Sequence, residues 1–140
     1  MASQLKVDTI TGVTTAGSIA VTGEGNSTTT NLQQGLAKVL ISINCSGTAA
    51  ANDSFNVTSI TDNAAGDMSI AITNNMGNSD YIMSDSSGYV NNWGNGNFFY
   101  EHSAARSTSA YRHYSFTQAA SSGVATDTPT LDSVGHGDLA

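Results

Sequence analysis

Residues 37–45 read AKVLISINC, and in them Ala37, Val39, Ile41, Ile43 and Cys45 fall at every second position, with Lys38, Ser42 and Asn44 between. A period of two is what an extended strand produces, because successive side chains leave the backbone toward opposite faces. The segment therefore reads as a half-buried strand with the aliphatic side chains on its inner face. Working outward, residues 55–61 (FNVTSIT) and 67–73 (DMSIAIT) repeat the pattern around DNAAG at 62–66. The spacing predicts a β-hairpin closed by a loop of about five residues. Residues 46–53 read as a small-residue loop, NNMGN at 74–78 as a turn, and residues 80–83 as the start of a fourth strand. Residues 84–97 carry so many Ser, Gly and Asn that they read as loop. Residues 98–102 and 110–117 read as aromatic strands, and a last strand is expected within 130–139.

Composition agrees with this all-β reading. In 140 residues, 39% are hydrophobic but only 11% charged, and Ser, Thr, Asn, Gly and Ala fill most of the rest. Straight-chain helix formers are scarce, while residues that favour strands and turns abound. Only 30–36 has room for a single helical turn. The one proline, Pro129, leaves the turns to Gly, Asn and Asp. Short strands with turn signals about every ten residues suggest an antiparallel β-sandwich or jelly-roll-like layer pair. The apolar supply is modest, and oligomerisation would bury more.

The formal charge of −7 rests on Lys6, Lys38, Arg106 and Arg112 as the only Lys and Arg residues. They build no basic patch to neutralise phosphates, so no nucleic-acid partner is expected. No apolar run reaches the ~20 residues of a helical span, which argues against membrane insertion. The opening MASQLKVD lacks the pattern of a signal peptide, so synthesis and folding in a cytoplasm are expected. Cys45 is the single cysteine, in phase with the inner face, and reads as a small apolar side chain.

Residues 1–35 differ from 36–140. They hold two short alternating stretches, around Leu5, Val7 and Ile10 and around Ile19 and Val21, separated by Gly and Thr. Neither can bury a core alone. The expected organisation is an extended N-terminal arm over 1–35, docking through those five side chains, followed by one β domain over 36–140.

Three stretches also carry a family resemblance. LKVDTI at 5–10 looks like the segment that opens many virion appendage and tail-fibre proteins of marine bacteriophages, of the cyanophage and pelagiphage type. NLQQGLAK at 31–38 and DSFNVTSITDN at 53–63 resemble the terminal domain of the same proteins, and Gly137-Asp138 lies where many of those domains stop. The likeness covers residues 1 to 83 well and the remainder in outline. It implies a noncatalytic structural protein on the virion surface, made in the bacterial host cytoplasm. It also implies a homotrimer for host attachment, with capsid or tail proteins as partners and a host glycan or receptor beyond them. In that family the domain ends a longer fibre, whereas here it follows a short arm directly, so capsid decoration or cementing is the alternative reading.

Among candidate sites, the aromatic and amide cluster of Tyr89, Trp93, Asn95, Phe98 and Tyr100 is the one suited to a receptor or a sugar ring, with flat apolar faces beside amide donors and acceptors. The same aromatics also read as core or oligomer contacts, and the sequence leaves both open. His102, His113 and His136 are not spaced as adjacent metal ligands. A metal at His136 would need one imidazole from each copy around an axis. The Asp62/Asp67 and Asp80/Asp85 pairs do not match a calcium loop. No Gly-x-Ser-x-Gly elbow or phosphate loop is present. No enzyme activity, metal or cofactor is expected.

Overall fold

The computed structural model describes residues 4–12, 19–23, 29–87, 97–101, 106–119 and 122–139. The chain divides into two compact units, Met1–Leu36 and Ala37–Ala140. In the first, residues 4–12 run outside regular structure with Leu5, Val7 and Ile10 exposed. Strand β1 (Ala20–Thr22) pairs antiparallel with β2 (Thr29–Asn31). The single helical turn α1 (Leu32–Gly35) follows directly, and Leu32 N–H donates to Ile19 O at 2.8 Å. Strand β2, made of Thr and Asn, carries no apolar alternation, which is why the sequence did not announce it.

The second unit is all-β and antiparallel. Strands β3 (Val39–Asn44), β4 (Ala50–Phe55), β7 (Ile82–Ser87) and β11 (Leu131–His136) form a four-stranded sheet in the order β4-β3-β11-β7. Strands β5 (Val57–Ala64), β6 (Asp67–Ile72), β8 (Asn97–Glu101), β9 (Ala110–Ala119) and β10 (Ser122–Ala125) form the other. There the ten-residue β9 pairs with β6 at its start, β8 along its middle and β10 at its end. The first and last described strands of the unit, β3 and β11, are neighbours at the centre of one sheet, a jelly-roll-like trait in which the unit's last strand locks onto its first.

Between the sheets lies the core. Val39, Ile41, Ile43 and Cys45 from the β3 segment meet Met68, Ile70 and Ile72 of β6, Tyr111 of β9 and Leu131 of β11, all essentially buried. The alternation read in 37–45 and 67–73 is thus the inner face of the two facing sheets.

Several boundaries differ from the sequence reading. The loop expected at 46–53 ends early, because β4 starts at Ala50 and pairs with β3 around a bulge between Ser42 and Ile43. All six β4 residues are exposed, so no apolar period marks them. The strand expected over 55–61 is broken at Asn56, whose φ of 61° turns the chain from one sheet into the other. The hairpin loop has two residues rather than five, with strands running to Ala64 and from Asp67. Gly66, at φ 68°, closes it, and a Cβ there would stand 2.2 Å from Ser115 O. The loop-like reading of 84–97 fails at its start, because serines 84, 86 and 87 and Asp85 complete β7 against β11. An edge strand with one exposed face tolerates such polar residues. Strand β10, SGVA, was also not anticipated.

Candidate functional site

Side chains of one sheet face fall into rows because register partners stand side by side. On the outer face of the four-stranded sheet, Phe55, Leu40, Val134 and Ser84 are successive partners across β4, β3, β11 and β7. The next outward row is Asp53, Ser42, Asp132 and Ser86. Together they line an open groove of about 400 Å3. Leu40 and Phe55 are 47% and 56% exposed, which makes this an apolar strip open to solvent beside a row of carboxylates and hydroxyls. Among the described residues, no Lys, Arg or His belongs to the lining. The groove therefore offers apolar contact and hydrogen-bond acceptors with uncompensated negative charge.

Beneath the same strands is a buried polar cluster. Asp85 of β7 and Ser133 of β11 turn inward toward His113 of β9, which has no solvent exposure. His113 Nε2 lies 3.0 Å from Ser133 Oγ and 3.4 Å from Asp85 Oδ1. Tyr111 stands edge-on to the imidazole at 5.0 Å. Burial pulls the His113 pKa below its ordinary value, with Asp85 opposing. Burial likewise pushes the Tyr111 phenol up. A Ser, a His and an Asp in contact invite comparison with a nucleophilic triad, but that chemistry places the carboxylate on one ring nitrogen and the hydroxyl on the other. Here both face Nε2. The trio instead packs β9 of one sheet against β7 and β11 of the other, with a hydrogen bond between His113 and Ser133.

Other polar groups are committed to structure. Asp67 holds Arg112 in a two-pronged ion pair, with Nε–H donating to Oδ1 at 2.6 Å and Nη2 meeting Oδ2. That guanidinium keeps the Asp67 carboxyl below its ordinary pKa. Tyr81 is buried, donates to backbone carbonyls at Ser107 and Ala110, and has its pKa pushed up to about 12 by burial. Burial also pushes the Cys45 thiol up.

No family model, no curated protein and no solved structure matches this chain. Of the aromatic cluster named from sequence, Tyr89, Trp93 and Asn95 lie outside the described residues. Phe98 and Tyr100 belong to β8, in register with Phe116 and Tyr114 of β9. Of the docking set, Leu5, Val7, Ile10 and Val21 are exposed and Ile19 is partly buried. His102 lies outside the described residues, His113 is in the core, and His136 ends β11 opposite Ile82. Asp62 and Asp67 belong to paired β5 and β6, while Asp80 is exposed and Asp85 is turned inward.

The groove was missed in the sequence, yet one signal pointed to it. Leu40 is an aliphatic residue on the polar face of the 37–45 alternation, between Lys38 and Ser42. An apolar side chain out of phase on a half-buried strand marks a face with contacts of its own.

Proposed function

We propose that this chain is a noncatalytic structural module of a bacteriophage particle, a tail-fibre-like appendage for host attachment whose contact face is the groove over β4, β3, β11 and β7. The observation that carries the contact face is the pair of rows, one mainly apolar with Leu40 and Phe55 exposed, one of carboxylates and hydroxyls, in a groove of about 400 Å3. Binding sites combine an apolar floor with a few placed polar groups in this way, in volumes of roughly 300–1,000 Å3. The assignment to a phage particle is supported by the resemblance at 5–10, 31–38 and 53–63. On this reading the copies associate, as trimers in that family, and the module works at the virion surface after synthesis in the host cytoplasm.

The exposed apolar side chains of Leu5, Val7, Ile10 and Val21 support a docking role for the N-terminal segment, on a capsid or tail protein. They equally favour a second reading, a decoration protein that clamps neighbouring capsid subunits. Antibody labelling of intact particles, followed by cryo-electron microscopy, separates the two. Density at the tail or a fibre tip is the expected result, and density along capsid subunit junctions would transfer the role to decoration. Purified particles without the chain would remove both.

A further inference from the structure

The groove has a charge imbalance that specifies its occupant. Asp53 and Asp132 stand in one row with Ser42 between them, and among the described residues the lining contains no cation to neutralise either. Asp85, the other carboxylate on these strands, points inward to His113. Two carboxylates beside an apolar strip are best complemented by a cation carried next to an apolar group.

Spacing adds a second constraint. Side chains on one face of a strand recur every two residues, about 6.8 Å. The apolar and acidic rows are themselves two residues apart along β3 (Leu40 and Ser42) and β11 (Val134 and Asp132), so they share that interval of about 6.8 Å. An extended segment laid over the groove along the strand direction would place residue i above the apolar row and residue i+2 above the acidic row. We propose that the groove docks an extended protein segment of the pattern apolar-x-basic, with its aliphatic side chain on Leu40 and Val134 and its Lys or Arg between Asp53 and Asp132. The serines of the two rows supply hydrogen bonds to the segment's backbone. An acidic segment or an acidic sugar would meet like charge at both carboxylates. An uncharged sugar would leave them without a counter-ion.

This inference rests on the groove being the contact face, and it has its own test. The full chain would be titrated with synthetic peptides that repeat Val-Ser-Lys-Ser, and with matched peptides that carry Glu in place of Lys. The expected result is binding of the Lys peptide alone, weakening as salt screens the pairs. Asp132→Asn and Asp53→Asn should each reduce affinity by about threefold to tenfold, and Leu40→Ser by a similar factor, with thermal midpoints near the parent's. Failure of the Lys peptide to bind, or binding that the groove variants leave unchanged, overturns the proposal. So does salt-independent occupation of the groove by a neutral oligosaccharide, which would make the partner a glycan. The attachment reading fails separately, by absence of the chain from particles, and that result would leave the peptide titration standing.

Discussion

Asn56 sits at φ 61° at the corner between β4 and β5, where most side chains are strained. Its side chain explains why Asn stands there: Nδ2 donates to Lys38 O at 2.9 Å and Asn74 O at 3.2 Å, and Oδ1 accepts from Asn74 N at 2.7 Å. One amide thus joins the corner to the start of β3 and to the turn after β6. Asn56→Ala should cost about 2–3 kcal/mol, from lost hydrogen bonds and a positive-φ alanine. Asn56→Gly should cost less, since it loses the bonds but not the backbone freedom. Urea unfolding of both variants checks the order, and equal losses would mean the backbone conformation contributes nothing. In the sequence Asn56 was one polar residue inside a strand pattern, because a positive φ leaves no periodic trace.

His113 supplies the acid response. Its folded pKa is depressed, chiefly by burial, below the 6.5 of a free imidazole. The unfolded chain therefore takes up the proton first as pH falls. Stability from this group is full above 6.5 and is lost as pH falls from that value through the folded pKa. Asp85 acts in the opposite direction, and Glu101 is His113's register partner on β8. The urea midpoint should fall between about pH 7.5 and about pH 5, and His113→Gln should flatten that slope. A midpoint that rises in acid would show Asp85 outweighing burial.

At the scale of elements, β3 and β6 were legible because one face of each is apolar and buried. Elements without that contrast were not. Strand β4 (AANDSF) is exposed throughout, and β7 (IMSDSS) ends in polar residues that resemble a loop. Hydrogen bonding to β3 and β11 makes them strands, and that pairing is tertiary information. The contrast gives a prediction. Ile70→Ala, at a fully buried core position, should cost about 2–5 kcal/mol. Phe55→Ala, on the groove rim, should cost less than about 1 kcal/mol. Denaturant titration distinguishes them, and a large loss at Phe55 would mean that its ring is covered in the folded protein and belongs to the structure rather than to a contact face.

For the whole molecule, the all-β class and the facing of two sheets followed from alternation and composition. The groove did not, because its rows draw single residues from four strands that are distant in the chain. Leu40, Phe55, Asp132 and Ser86 become neighbours only through register. The histidine tie has the same origin, joining Asp85, His113 and Ser133 across the sandwich. Fold and candidate site are nevertheless one construction: β7 and β11 present serines and Asp132 to solvent on one face and Asp85 and Ser133 to His113 on the other.

If this outer face is the contact surface of an attachment module, host adsorption of particles carrying Leu40→Asp will report it. Leu40 is 47% exposed, so the variant should fold and assemble, with the purified chain melting near the parent's midpoint. Adsorption should slow by about tenfold, the scale on which a residue central to an interface acts. Adsorption at the parental rate by particles that contain the folded variant would place the contact surface elsewhere.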